Sequence, residues 1–224
     1  MINIDTVYQR VLALANKEQR GYITPQEFNL LANQAQLDIF EQYFYDINQF
    51  ALINDIGAEY SDAVDSLEEK MAIFETTSAV GINGILPNNL YKLGTVMWGN
   101  REVEQIDQKK YLYINSSPLA KPTNDRPVYT RSGNTITTHG NNQITSGITC
   151  NYIKKPDSVE WGYHVIALKA LYNATTSTHF ELHSSEEVKL VLKILELAGI
   201  VINKPGLVTL ASQKEMSKLQ QEKS

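Results

Sequence analysis

Two histidines and a glutamate in the C-terminal part of the chain form the pattern best suited to metal chemistry. His179 and His183 are four residues apart, so in a helix they would lie on one face and could share a zinc ion. The metalloprotease pattern needs a glutamate directly after the first histidine, but Phe180 occupies that place, and Glu181 would point to another side. We interpret the histidines as structural residues near a helix end and predict no bound metal. A lone metal site is the alternative.

Other catalytic patterns do not occur in the sequence. It has no Gly-x-x-x-x-Gly-Lys phosphate loop, no dinucleotide fingerprint and no Gly-x-Ser-x-Gly elbow. Cys150 is the single cysteine, so an intrachain disulfide is impossible, and we interpret it as a strand residue. We therefore predict no enzymatic activity and no cofactor. Four acidic residues lack EF-hand spacing and are interpreted as a solvated face: Asp55, Glu59, Asp62 and Asp65.

Basic and aromatic residues alternate in the middle of the chain. Basic side chains attract phosphates and aromatic rings stack on bases, so this mixture is typical of surfaces that bind single-stranded nucleic acid. The overall acidity of the chain opposes a free-standing binder. Together with two prolines of the adjoining loop, the same residues are candidates for a protein interface. The candidates are Lys109, Lys110, Tyr111, Tyr113, Pro118, Lys121, Pro122, Arg126, Tyr129 and Arg131.

These candidates belong to residues 71–156, a segment whose sequence pattern is typical of short strands and turns. Ser132-Gly133-Asn134 predicts a hairpin turn. Residues 115–127 contain three prolines and no periodicity, which is typical of a binding loop, and we expect this loop to become ordered only against a partner. The β-branched and aromatic runs predict strands at 93–98, 103–106, 111–114, 128–131, 135–138 and 148–153.

The N-terminal flank, residues 1–70, has helical patterns. Val7, Val11 and Leu14 follow one helical face behind Asp5, the predicted cap. Thr24-Pro25-Gln26-Glu27 is a capping box and predicts a second helix of about 25 residues. Two apolar stripes along this helix predict that it is sandwiched on both sides. The stripes are Phe28, Leu31, Ala35, Ile39 and Tyr43, and Leu30, Leu37, Phe40, Phe44 and Ile47.

The C-terminal flank, residues 157–224, repeats this helical pattern. The spacing of Val165, Leu168 and Leu171 predicts a helix over 162–178. Ser184-Ser185-Glu186-Glu187 predicts the cap of another helix that ends at Gly199, and its apolar residues on two faces predict a place in the core. A third helix is expected to begin at Pro205. Together the patterns predict an α+β protein whose N- and C-terminal helices pack together as one domain, with a central antiparallel β insert between them in the chain.

Charge is distributed unevenly along the 224 residues. Residues 1–70 carry a net charge of −8, residues 71–156 carry +4 and residues 157–224 carry −1, which accounts for the total of −5. Such asymmetry is expected of subunits that pack head to tail, although loops and capped helices also collect charge by chance. No run is long and apolar enough for a membrane span, and the N-terminus does not resemble a signal peptide.

Two parts of the chain support a resemblance to a known class of proteins. Residues 16–29, 32–36 and 41–44 resemble the N-terminus of virion structural proteins of tailed bacteriophages, including crAss-like and marine podoviruses. Residues 180–183, 185–187 and 193–200 resemble the C-terminus of the same group, so the resembling stretches make up about a sixth of the chain. The order of helices, β insert and helices is also similar to the adaptor or tail-tubular ring proteins of short-tailed phages.

The resemblance implies a head-to-tail connector subunit without enzymatic activity. Such a protein forms a ring, here expected to be dodecameric, that lines the DNA channel between portal and tail. Its expected partners are further copies of itself, the portal protein and other tail or ring proteins, with transient contact to passing genomic DNA and none to a membrane. The expected location is the virion, after assembly in the host cytoplasm. The alternative is a single-stranded nucleic-acid-binding module, and a metal-dependent hydrolase built on His179 and His183 ranks third.

Overall fold

The computed structural model of the protein describes residues 1–17, 23–52, 58–167 and 169–199, and confirms the α+β class. The chain divides into a helical unit, Met1–Ile73 with Pro156–Ser224, and a β unit, Phe74–Lys155. The helices are α1 (Ile4–Lys17), α2 (Pro25–Leu52), α3 (Ala58–Ala72), α4 (Gln108–Asn115) and α5 (Glu187–Leu197). The strands are β1 (Glu75–Ala79), β2 (Leu90–Trp98), β3 (Arg101–Gln105), β4 (Val128–Ser132), β5 (Thr135–His139), β6 (Gln143–Ile144), β7 (Ile148–Lys154), β8 (Tyr163–Ile166) and β9 (Lys169–Tyr172).

Helix α1 is capped by Asn3 and not, as predicted, by Asp5. The Asn3 Oδ1 atom accepts hydrogen bonds from the backbone N–H groups of Asp5 (2.8 Å) and Thr6 (3.3 Å). Asn3 precedes the first turn, where its side chain faces the free amides, whereas Asp5 already lies inside the helix. The Asp5 carboxylate instead accepts a hydrogen bond from the indole N–H of Trp161 at 2.9 Å.

Helix α2 begins with the predicted capping box and runs for 28 residues. The Thr24 N–H donates to Glu27 Oε2 (2.9 Å), and the Glu27 N–H donates to Thr24 Oγ1 (3.3 Å). The backbone hydrogen bond from Thr24 lowers the pKa of Glu27. Phe28 and Ile39 of the first stripe are buried, but Leu30 of the second stripe is 74% exposed. The predicted burial on both sides is therefore wrong at Leu30.

Three side-chain amides of α2 bind the extended segment 157–161. At Asn33 the side-chain amide both donates to the Val159 carbonyl and accepts from the Val159 N–H, each at 2.9 Å. Helical residues four apart rise by about 6 Å and extended residues two apart by about 6.6 Å, so the two spacings match. We call these residues the amide ladder. Its pairs are Asn29 with Trp161, Asn33 with Val159, and Gln36 with Asp157.

Residues 162–178 do not form the predicted helix. Strands β8 and β9 pair there as an antiparallel hairpin, with Tyr163 opposite Tyr172 and Ile166 opposite Lys169. The backbone reverses at Ala167, whose φ angle is +49°. Aromatic and β-branched residues favour this paired arrangement, and cross-strand contacts outweigh the helical spacing of the apolar residues.

Helix α5 is capped differently from the prediction. The ring of His183, not Ser184, accepts the N–H of Ser185 (3.3 Å) and caps a single 3-10 turn over Ser184–Glu186, directly before α5. Gly199 follows the helix with a φ angle of +67°, as the predicted end requires. Leu190 and Ile194 are buried, but Val188 and Leu192 on the other predicted face are exposed. The predicted helix at Pro205 lies outside the described residues.

A buried ion pair joins α3 to the start of α5. Glu186 is only 6% exposed, and its carboxylate lies 2.8 Å from the Lys70 ammonium. The hydroxyl of Tyr43 is also buried in this unit; burial, and secondarily the charge of Glu186, raise its pKa. Of the predicted acidic face, Asp65 is exposed, Glu59 and Asp62 lie in α3, and Asp55 lies outside the described residues.

The β unit is a curled sheet of seven strands in the order β1-β7-β2-β3-β4-β5-β6. Its pairs are antiparallel except β3 with β4, which run parallel at Glu104 and Val128, so the expectation of a purely antiparallel insert is wrong. A bridge between Ile85 and Thr135 ties the β4–β5 hairpin back to the segment before β2. The buried side chains form one core: Leu86, Val96, Val103, Tyr129, Ile136, Ile148, Cys150 and Tyr152.

The parallel pair explains why residues 111–114 are helical and not a strand. Parallel neighbours need a crossover of a dozen or more residues, usually with a helix, and α4 lies in this connection. The predicted turn at 132–134 is confirmed, because Ser132 pairs with Thr135 and Gly133 has a φ angle of +59°. Cys150 is a buried strand residue as predicted, and burial raises the pKa of its thiol.

Candidate functional site: the α4 groove

An open groove of about 640 Å³ lies inside the β unit between β3, α4 and the loop that precedes β4. We call it the α4 groove. Its β3 side carries Glu102 and Glu104, and its α4 side carries Lys110 and Ile114. The loop side is formed by residues 119–123 and 125–128, which include a fully exposed leucine, Leu119. The groove therefore combines carboxylates, cations and an apolar side chain.

Arg101 anchors the second half of the loop. Its guanidinium donates to the Asn124 carbonyl (2.7 Å) and forms an ion pair with Asp125 (2.8 Å). The loop is also joined to residue 141, because the side chains of Asn124 and Asn141 each accept the backbone N–H of the other residue, at 3.0 and 3.3 Å. These contacts lie within the β unit. This half of the loop thus has partners in its own chain, which the sequence did not predict.

Helix α4 is fixed to the sheet by an aromatic stack. The rings of Tyr111 and His139 lie 4.0 Å apart with an angle of 22° between their planes. Burial lowers the pKa of His139, so the neutral imidazole is favoured in this stack. Lys110 approaches Glu104 on β3 at 3.6 Å. The helix has no fully buried residue, so its attachment depends on partly exposed contacts such as this stack and this ion pair.

Four of the ten predicted interface residues line the α4 groove: Lys110, Lys121, Pro122 and Arg126. Lys121 and Arg126 are exposed on the loop side, and within the described part of the chain neither forms an ion pair with a carboxylate. The acidic residues Glu104 and Asp125, in contrast, already have basic partners. The loop side of the groove therefore offers two cations to an incoming carboxylate.

The remaining predicted interface residues are not among those that line this groove. Lys109 and Tyr113 are exposed on α4, and Pro118 is exposed on the loop. Tyr129 is buried, its hydroxyl donates to Gln105 (3.0 Å), and burial raises its pKa. Because Tyr111 stacks on His139, two of the three tyrosines predicted to stack on bases are engaged with their own chain. The last of these predicted residues, Arg131, donates a hydrogen bond to the Gly133 carbonyl at 3.1 Å.

The two histidines of the sequence pattern accept hydrogen bonds from backbone N–H groups of the helical unit. They lie in an irregular segment between β9 and α5. His179 Nδ1 accepts the N–H of Ile4 at 3.3 Å, and His183 caps the turn before α5. Glu181 accepts the N–H of Asp157 at 3.0 Å. Among the described residues, no three His, Cys, Asp or Glu side chains are grouped as a metal ion requires.

Sequence reasoning missed the residues that position these elements. Arg101, Asn124 and Asn141 are far apart in the chain, and no local spacing marks them as partners. The amide ladder did carry a signal, because Asn29, Asn33 and Gln36 recur at i, i+4 and i+7 beside an apolar stripe. Polar residues at that position next to a core face indicate specific hydrogen bonds.

Comparison with protein-family models and with curated proteins gives no match to this chain. Within the described residues, no helix combines the length and the apolar character that crossing a lipid bilayer requires.

Proposed function

We propose that the protein is a non-enzymatic virion structural protein of a tailed bacteriophage, a subunit of the head-to-tail connector ring. In this proposal further copies form the ring, the portal protein and tail or ring proteins lie above and below it, and DNA passes through its channel. The resemblance at both ends of the chain supports the proposal. The two stretches that resemble phage proteins are also joined in the fold, since Gln36 accepts the N–H of Glu181 at 3.1 Å.

The observation that carries the proposal is the opposite charge of the two units. The residues of the helical unit sum to −9 and those of the β unit to +4. Opposite charges on one subunit orient neighbours and set their register when subunits associate head to tail. Two cations of the β unit, Lys121 and Arg126, lie at the α4 groove and form no ion pair with a carboxylate of the described residues. An acidic segment of a neighbouring ring protein fits this groove.

The groove supports protein docking better than the alternative, single-stranded nucleic-acid binding. A nucleic-acid surface offers free aromatic faces along a continuous basic track. Here Tyr111 is stacked on His139 and Tyr129 is buried, so two of the three tyrosines offer no free face to a base. In our proposal the β unit docks the next tier of the virion, while the helical unit supplies contacts around the ring.

Charge reversal at the groove tests this assignment. In particles assembled with the double variant Lys121→Glu/Arg126→Glu, we expect a large excess of tailless heads, counted in electron micrographs, because the docking cations are reversed. Lys92→Glu is the matched control, since Lys92 is an exposed cation of β2 outside the groove. Tailed particles at the normal ratio in the double variant would contradict the docking role. Sub-micromolar, salt-dependent binding of a short single strand by the purified chain would favour the alternative.

A further inference from the structure

The β8–β9 hairpin exposes an apolar tip. Val165 is 64% exposed, Ile166 is 60% exposed and Leu171 is 50% exposed. Among the described residues, the hairpin pairs with no third strand. Two-stranded hairpins are marginally stable alone, and exposed apolar residues that lie together mark interaction sites. In the strand register Ile166 and Leu171 share one face of the hairpin, and Val165 lies on the other. The tip is therefore a candidate contact surface.

The base of this hairpin is held firmly. The ring of Trp161 lies 5.7 Å from that of Tyr163 and 5.8 Å from that of Tyr172. The indole N–H is fixed by Asp5, and a side chain at Gly162 would come within 2.1 Å of the Thr176 hydroxyl. Because the base is fixed, presenting the tip to a partner costs little conformational entropy.

A second apolar patch lies on α5 in the same unit. Val188 is 65% exposed and Leu192 is 40% exposed, and the two residues stand one turn apart on one face. Glu196 continues that face by another turn and its side chain is 71% exposed. We call Val188 and Leu192 the α5 patch.

The hairpin and α5 approach α2 from opposite sides. The segment that leads into the hairpin is bound by Asn29, whereas α5 meets α2 where Lys193 lies 3.8 Å from Asp38. Asn29 and Asp38 are nine residues apart, which at about 100° per residue places them about half a turn apart around α2. A contact between different patches on opposite sides is heterologous, the type that closes a ring by rotation.

The charges beside the two patches are complementary. Lys169 is exposed at the hairpin tip, directly opposite Ile166 in the strand register. Glu196 follows the α5 patch and pairs with Lys193 of its own helix at 3.3 Å, but its exposed carboxylate can accept a second cation. The lysine of one copy can therefore approach the glutamate of the next when the apolar residues meet, which fixes the register of the contact.

We propose that the hairpin tip of one copy packs against the α5 patch of a second copy. The contact would be the lateral contact between neighbouring subunits of the proposed ring, so it rests on the proposed function. The partner is another copy of this chain because the helical unit carries both halves of the contact, with matching apolar character and opposite charge.

A mixing experiment tests the heterologous contact. The hairpin variant Val165→Asp/Ile166→Asp and the α5 variant Val188→Asp/Leu192→Asp should each be monomeric, with self-dissociation constants raised roughly a hundredfold or more. When mixed, they should form a one-to-one dimer that grows no further, because one intact surface of each kind remains. Native mass spectrometry distinguishes these species. Leu30→Asp is the control, since Leu30 is exposed on α2 and belongs to neither patch.

Each other outcome contradicts the proposal in a recognisable way. Association of both variants as in the wild type, with rings intact, would overturn this contact and leave the connector function standing. A wild-type chain that stays monomeric would overturn both. If the α5 variant self-associates and the hairpin variant does not, the contact is between two hairpins. A lowered melting temperature of either variant with unchanged association would mean that its own chain covers the patch. As a charge test, Lys169→Glu should weaken association several-fold and Glu196→Lys should restore it in the double variant.

Discussion

The two units of the chain satisfy their backbone hydrogen bonds in different ways. In the β unit, strands pair with strands, so most hydrogen bonds run from backbone to backbone and tolerate many side chains. In the helical unit, the extended segment 157–161 pairs with side-chain amides of α2. The helical unit therefore depends on particular side chains, and the β unit depends on close backbone approach. This difference predicts where each unit is sensitive to substitution.

The largest effect is expected where backbone meets backbone in the β unit. Gly84 has a φ angle of +78°, and a Cβ atom there would lie 1.8 Å from the Ile136 carbonyl oxygen. Gly84→Ala should lower the free energy of unfolding by more than about 4 kcal/mol, because both strain and a backbone clash arise. Gly99→Ala is the control, because Gly99 has a φ angle of +60° but an added Cβ atom would meet open space. This substitution should lower the free energy of unfolding by about 1 kcal/mol. Thermal and denaturant unfolding measure the stability of both variants. Equal losses of unfolding free energy would contradict the steric explanation.

Substitution in the amide ladder should give the next largest loss of unfolding free energy, because a side chain there binds the backbone. Asn33→Leu removes one amide and leaves both backbone groups of Val159 unpaired, at a cost of about 3 kcal/mol. Gln34→Leu is the matched control on the same helix. Its exposed amide bonds only Asp38 four residues away, so its loss should cost less than about 0.5 kcal/mol. Similar unfolding free energies for the two variants would contradict the stabilising role of the amide ladder.

The buried pair between Lys70 and Glu186 sharpens the comparison within the helical unit. Lys70→Met leaves the Glu186 carboxylate buried without its cation and should cost about 2–3 kcal/mol. Adding Glu186→Leu should recover most of that loss, because a buried pair can be replaced by apolar residues. A double variant less stable than Lys70→Met alone would show that Glu186 has a further stabilising role.

The smallest effect is expected from His139 in the β unit. Burial lowers its pKa below that of the unfolded chain, so below about pH 6.5 the unfolded state binds more protons than the folded state. The stability of this unit should therefore fall as the pH decreases through that value. In His139→Gln the melting temperature should change less between pH 7 and pH 5. An unchanged pH dependence in that variant would exclude His139 as the cause.

Local signals in the sequence predicted the elements whose causes are local. The Thr24–Glu27 capping box and the Gly133 turn each involve residues within four positions, and both are present. Residues 111–114 and the β8–β9 hairpin were predicted wrongly because distant partners decide them. The parallel pairing of β3 with β4 needs a long crossover, in which α4 lies. Trp161 contacts both hairpin strands and is held by Asp5, 156 positions earlier in the chain.

The candidate site was predicted only in part, for the same reason. The loop and its cations were recognised from composition, and four predicted residues do share the α4 groove. Arg101, which anchors the loop through residues 124 and 125, gave no local signal because it lies more than twenty positions away. Tyr129 was predicted as an interface residue from its type alone, but its position on the inner face of the sheet buries it.

The mass of the native assembly tests the central claim, that this chain is a connector subunit, most directly. Native mass spectrometry of the purified full chain, with electron microscopy of the same sample, should show a closed ring of one stoichiometry, expected to be a dodecamer, with a central channel. A monomer across the micromolar range, together with sub-micromolar binding of single strands that weakens steeply with salt, would contradict the connector function and favour a nucleic-acid-binding module.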